Sequence, residues 1–212
     1  MKKLTVLALS AAMAGSFASA TATAGASANV GFVSDYYFRG VFQAGSSASA
    51  GLDYEHESGL YAGTWWGDVD TGLETDYYVG YAGEMEGISF GAAYIVYDYT
   101  DDFDDKYSEI DLTAGYGPVS IEYAIGEYDS SPASQDYTFA AITGEYEGFY
   151  ATYGSWGDDF KGAYTELGYG ADVGGFEMGI AIISNDKDLD LVTATGKGET
   201  TMVFSLAKSF DL

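Results

Sequence analysis

The chain has 212 residues, no cysteine, two prolines, 29 glycines and 32 tyrosines and phenylalanines together, with a formal charge of −25. That composition excludes a disulfide-stapled secreted module and all thiolate chemistry, and the acidity disfavours nucleic acid as a partner because phosphates are repelled. Glycine penalises helix interiors while aromatic side chains suit pleated surfaces, so strands are expected and almost no helix.

The first two dozen residues read differently from the rest. Lys2 and Lys3 precede an apolar run from Leu4 to Ala14, and small residues follow with Ala18-Ser19-Ala20 or Ala22-Thr23-Ala24 as cleavage sites. This is the layout of a secretory signal peptide, assigned to residues 1–24. Ser10, Gly15, Ser16 and Ser19 interrupt the run, which is too broken for the roughly 20 apolar residues of a membrane helix.

From residue 25 on, a single domain over 25–212 is expected. Glycine-led restarts fall at Val30, Leu60, Ile88, Val119, Phe149 and Phe176, about every thirty residues. Thirty residues hold two strands of roughly 9–11 residues with one short turn and one longer loop, the hairpin unit of a membrane-spanning β-barrel. Six hairpins predict an all-β fold, a transmembrane antiparallel up-and-down barrel of twelve strands. The short connections, such as His56 to Gly59 and Glu84 to Gly87, are expected on the periplasmic side; stretches such as Tyr97 to Ser108 and Ser184 to Glu199 are expected outside.

Within each predicted strand, apolar residues alternate with small or polar ones. Val30, Phe32, Tyr36 and Phe38 share one face of the first strand, and Asn29, Gly31, Asp35, Tyr37 and Arg39 share the other. Leu52 and Tyr54 oppose Asp53 and Glu55; Ile110 and Leu112 oppose Glu109 and Asp111; Val119, Ile121 and Tyr123 oppose Ser120 and Glu122. If lipid surrounds the barrel, the apolar faces point outward. Aromatic girdles are then expected at both ends, with Tyr54, Tyr81, Tyr116, Phe149, Tyr169, Phe176 and Phe210 beside the short turns and Phe38, Trp66, Tyr77 and Tyr137 opposite.

The inward parity carries acids. Asp35, Asp53, Asp76, Asp111, Glu122, Glu166 and Glu177 are the expected pore-lining residues, together with Arg39 as the single inward base. Carboxylate rings favour cations and repel anions. Gly31, Gly51, Gly63, Gly80, Gly91, Gly115, Gly126, Gly144, Gly154, Gly168 and Gly179 share that parity, as do rings including Tyr61, Trp65, Tyr78, Tyr150, Trp156 and Tyr164. Rings laid over glycines of adjacent strands would fill much of the lumen, and a twelve-stranded barrel lies between filled and wide, so a narrow passage is expected.

No catalytic site is predicted. His56 is the only histidine and falls in a turn between Glu55 and Glu57, and the pairs Asp101/Asp102 and Asp158/Asp159 have no held separation. No cofactor and no defined metal site are expected: the run Asp186, Asp188, Asp190 has Leu191 where a calcium-binding loop needs glycine.

In the last strand Met202, Phe204, Leu206, Phe210 and Leu212 share a face, a pattern of the kind read by barrel-assembly machinery. The run Asn29-Val30-Gly31-Phe32-Val33-Ser34-Asp35-Tyr36-Tyr37-Phe38-Arg39-Gly40-Val41, with Gln43 after it, and the ending Ala207-Lys208-Ser209-Phe210-Asp211-Leu212 resemble the TorF family of porin-like proteobacterial proteins. The resemblance implies a barrel in the outer membrane of a Gram-negative bacterium with a pore role, and supplies no catalytic residues. Leu212 stands where many barrels have an aromatic, and Lys208 takes the lipid-facing parity, from which its head is expected to snorkel to the interface.

The reading is a narrow, passive, weakly cation-preferring porin for small solutes or ions, monomeric, with outer-membrane lipid and lipopolysaccharide as surroundings. The alternative is a poorly conducting barrel with a structural, adhesive or ligand-recognition role through its loops.

Overall fold

The computed structural model describes residues 24–189 and 197–212; the predicted leader, apart from Ala24, and Asp190 and Leu191 of the acidic loop lie outside the described residues. Twelve strands run in chain order: β1 (Gly25–Phe38), β2 (Val41–Glu55), β3 (Leu60–Asp68), β4 (Leu73–Met85), β5 (Ile88–Tyr99), β6 (Lys106–Tyr116), β7 (Val119–Asp129), β8 (Gln135–Tyr146), β9 (Phe149–Asp158), β10 (Ala163–Asp172), β11 (Glu177–Asn185) and β12 (Thr200–Asp211). Each pairs antiparallel with its sequence neighbours, and β12 closes on β1 through Ser27↔Asp211 to Val33↔Ser205. Closure leaves no unpaired sheet edge, which is what lets a sheet stand in hydrocarbon. Four of the glycine-led restarts, Leu60, Ile88, Val119 and Phe149, are the first residues of their strands.

The turns have a local cause. Glu86-Gly87 and Glu147-Gly148 take positive φ at both residues (55° and 79°; 49° and 89°), the two-residue geometry whose twist matches that of the flanking strands. The same pair of angles occurs at Arg39-Gly40, at the opposite end of the barrel (46° and 83°).

The outer wall is apolar. Val30, Phe32, Leu52, Val79, Ile110, Ile121, Ile142, Leu167, Ile182 and Phe204 are all exposed and alternate with inward neighbours. A band of this extent needs a hydrocarbon surround, since a water-soluble chain of this size seldom exposes more than a few hundred Å² of contiguous apolar surface. At the short-turn end Tyr54, Tyr81, Tyr116, Phe149, Tyr169, Phe176 and Phe210 form the expected outer girdle.

At the other end the girdle is thinner than expected. Tyr77 is exposed and Trp66 half-buried, but Tyr137 is 2 % exposed and points inward, and Phe38 packs inside the barrel against Tyr97 and Trp156. In β8 the whole parity is opposite to the expectation: Tyr137 and Phe139 are buried, Ile142 is exposed, and Gly144 pairs with the outward-facing Val119. The run Tyr137-Thr138-Phe139-Ala140-Ala141-Ile142 is apolar on both faces, so its alternation carries little direction.

Candidate functional site

Two ladders stop early. The pairing of β1 with β12 ends at Val33↔Ser205, and that of β2 with β3 at Ser49↔Gly67, yet β1 and β2 continue to pair with each other up to Phe38↔Val41. The register shifts between Tyr36 and Tyr37, and Ser46 takes a φ of 56°, so the ribbon bends at both strands. Its tip folds into the lumen. Tyr36 packs on Trp65 of β3, with ring centroids 5.9 Å apart, and Phe38 reaches Tyr97 of β5 at 5.4 Å. This bend also explains why Tyr36, predicted outward, is buried.

Arg39 is at the tip and only 4 % exposed. Its Nη1 and Nη2 donate to the two carboxylate oxygens of Glu109 on β6 at 2.8 and 2.9 Å, and its Nε and Nη2 donate to Glu122 Oε1 on β7 at 3.0 and 2.6 Å. The bidentate fork is the strongest form of this pairing. Its guanidinium carbon lies 4.5 Å from the ring centre of Phe139 on β8 and 5.8 Å from that of Trp156 on β9. Glu109 is held in turn by the hydroxyls of Tyr97 (2.7 Å) and Tyr137 (3.0 Å).

The turn backbone is gripped as well. Trp156 Nε1 donates to the Arg39 carbonyl at 3.1 Å, and Asn185 Nδ2 on β11 donates to the Gly40 carbonyl at 3.0 Å. Gly40 lies against Tyr164 of β10, where a Cβ would come within 2.7 Å of the tyrosine, so only glycine suits both the angle and the space. One two-residue turn therefore touches the inner wall from β6 to β11. Ile95, Tyr97, Glu109 and Phe139 around it are at most 2 % exposed, so the lumen is packed at this level.

The remaining predicted pore-lining residues spread along the wall. Asp76 and Asp111 are buried and each leaves one carboxyl oxygen without a hydrogen-bond partner among the described residues, as does Glu74, an inner-face acid beside Asp76 on β4. Glu166 is buried and accepts the hydroxyl of Tyr150. Asp53 is half-buried and accepts from Tyr78 and, at 3.1 Å, from Asn29 Nδ2. Glu177 is half-buried near the short-turn end, and Asp35, with Ser34 donating at 3.0 Å, lies on the bent part of β1 away from the wall ladder. Only Arg39 and Glu122 among these eight come together directly; Glu109 completes their cluster.

Rings cover glycines across neighbouring strands. Tyr78 lies over Gly63, Tyr61 over Gly80, Tyr137 over Gly126 and Tyr150 over Gly168. Farther out, Tyr107 stacks on Tyr128 at 4.4 Å, both donating to Asp104, and Phe160 stacks on Tyr137 at 5.1 Å. Outside the membrane-spanning strands, the exposed Lys187 ammonium is raised by its hydrogen bond to Asp188.

Residues 17–210 match a family described as bacterial protein of unknown function, Gcw_chp. The chain belongs to that family. No curated protein matches it. Among solved structures, this Gcw_chp chain is similar to a membrane protein from work on the mechanism of in-meso crystallization, at 13 % identity over 90 % of this chain and 84 % of that one, with a TM-score of 0.60. It is also similar to the KdgM porin, at 8 % identity over 87 % and 99 % of the two chains, with a TM-score of 0.59. At such identities the likeness carries the barrel fold.

Sequence reading of the Gcw_chp chain placed Arg39 inside but missed what carries it there. One signal was available: Arg39 is the only arginine in the sequence, followed by the glycine that a two-residue turn of this type favours.

Proposed function

We propose that the chain is an outer-membrane porin of a Gram-negative bacterium: a narrow, passive, weakly cation-preferring passage for small solutes or ions, without enzymatic activity. The observation that carries this reading is the sign of the interior. Glu74, Asp76, Glu109, Asp111 and Glu166 are buried inside the barrel, and Arg39 is the one buried base among the described residues. Where these carboxyls are ionised, such an excess lowers the energy of cations and raises that of anions. The fold shared with the KdgM porin and the resemblance to the TorF family support the same reading. Residues 1–24 act as the export signal, lipid and lipopolysaccharide surround the barrel, and the assembly machinery inserts it through β12.

Purified protein in a planar bilayer under a salt gradient tests the proposal. A reversal potential of cation-selective sign is expected, and Glu166→Gln is expected to move it toward zero. An anion-selective sign overturns the lumen assignment.

The packed lumen at Arg39 favours a second reading, a barrel that conducts little and acts through its loops. Absence of conductance even after the bent part of the β1–β2 hairpin is shortened would support it.

A further inference from the structure

We propose that Glu109 and Glu122, with Phe139 and Trp156, form a guanidinium-binding seat on the lumen wall that Arg39 occupies as a tethered ligand, and that guanidinium-bearing solutes compete for this seat and displace the hairpin. The inference rests on the porin reading and names the solute class for that passage.

The seat belongs to the wall. Its two carboxylates stand on β6 and β7 and its rings on β8 and β9, while Arg39 arrives from the β1–β2 tip. Tyr97 and Tyr137 each donate to one oxygen of Glu109, so the carboxylate is oriented by wall residues as well as by Arg39. A planar fork that needs two parallel acceptors, a third on its Nε side and an aromatic face is the shape of a guanidinium. A metal fits less well: among the described residues no group of three or more histidine, cysteine or acidic side chains converges as a chelate.

The tether is built to leave. Beyond Val33 and Ser49 the hairpin has no ladder to β12 or β3, so withdrawing the tip breaks no backbone pairing with either neighbour; toward β12 it breaks the side-chain bonds of Ser34 with Phe204 and of Tyr37 with Thr201. It breaks the contacts of Arg39, the bonds from Trp156 and Asn185 to the turn carbonyls, and the packing of Tyr36 and Phe38. Withdrawal strands Glu109 as a buried and Glu122 as a half-buried uncompensated charge, which is costly unless another cation takes the place. A solute that supplies the same fork binds the withdrawn state and not the latched one, and that difference in affinity shifts the equilibrium.

The test uses methylguanidinium and, as a cation with no N–H donor, tetramethylammonium, at equal ionic strength on barrels in planar bilayers. Folding of every variant is checked by its heat-dependent electrophoretic mobility. Methylguanidinium is expected to raise the open fraction of the wild-type barrel several-fold and tetramethylammonium to leave it unchanged. In Arg39→Ala the barrel is expected to open without solute, with methylguanidinium in the vacated seat lowering the cation current only to the level of the solute-opened wild-type barrel, and Glu109→Gln with Glu122→Gln is expected to remove this partial block. Equal effects of the two cations, or a block that survives both Gln substitutions, overturns the seat. A barrel in which residues 34–46 are replaced by Asn-Gly, joining the paired Val33 and Ser47, separates the two readings. If it conducts and ignores methylguanidinium, the seat is wrong and the pore stands; if it folds and does not conduct, the pore reading itself fails.

Discussion

Tyr137 lies flat across Gly126, its cross-strand partner on β7, and from there its hydroxyl reaches Glu109 at 3.0 Å. The missing Cβ is what allows the ring to lie that low, so a glycine on one strand positions the carboxylate of another. Gly126→Ala places a methyl inside the ring and must push Tyr137 off Glu109; overpacking of this kind costs about 1–3 kcal/mol. Gly168→Ala under Tyr150 is expected to behave alike. Gly144→Ala is the control, because nothing lies within 4 Å of a Cβ there. Urea midpoints of the folded barrels in lipid vesicles should drop for the first two and stay put for the third.

Arg39 and Glu109 are both buried, so removing one partner leaves a charge without compensation. Arg39→Ala is expected to destabilise by about 3–5 kcal/mol, the range for broken buried pairs. Arg39→Lys keeps the charge and loses the fork, because an ammonium cannot bind two carboxylate oxygens and a third acceptor in one plane. It should recover only part of the lost stability. A double-mutant cycle of Arg39→Ala with Glu109→Gln should show positive coupling, and simple additivity of the two losses would contradict the paired geometry.

How much of the barrel and its latch was legible beforehand differs by element. The strand starts at Leu60, Ile88, Val119 and Phe149 were readable because each comes after a turn whose glycine and length admit one geometry. Tyr61, Tyr78 and Tyr150 over glycines were readable because parity alone brings them to one face; Tyr137 over Gly126 was not, its ring being expected outward. Parity failed where its assumptions did. In β8 both faces are apolar, and in β1 the register shift between Tyr36 and Tyr37 belongs to a bend that carries the tip into the lumen, where both of its faces are enclosed, so Tyr36 and Phe38 move from wall to lumen. Bulges have no period, and a hairpin that leaves its neighbours does so through contacts from β5 to β11 that no local pattern encodes.

Lys208 faces the membrane side of β12 without a carboxylate partner among the described residues, and its ammonium lies 4.5 Å from the ring centre of Phe176 and 5.5 Å from that of Phe210. The two girdle rings hold it at the short-turn interface, in line with the snorkelling expected for that position. Lys208→Ala is expected to cost about 0.5–1 kcal/mol, the value of an exposed cation–π contact. Lys208→Glu should cost more, since a carboxylate meets the negative faces of the same rings. Vesicle unfolding midpoints would rank the three as wild type, alanine, glutamate.

Selectivity should track the buried acids that Arg39 does not neutralise. Asp76 on β4 and Asp111 on β6 each keep one oxygen without a hydrogen-bond partner among the described residues, whereas both oxygens of Glu109 are engaged by the guanidinium. The former pair is therefore the more available to a passing cation. Asp76→Asn with Asp111→Asn is expected to shift the salt-gradient reversal potential toward zero, each substitution replacing an acid able to carry one unit of charge on the inner wall by a neutral amide. Glu57→Gln, in the exposed turn beside His56, removes the same charge in open water and should leave the potential where it was. If Glu57→Gln moves it as far as the double substitution does, net charge sets the preference and the lumen acids do not.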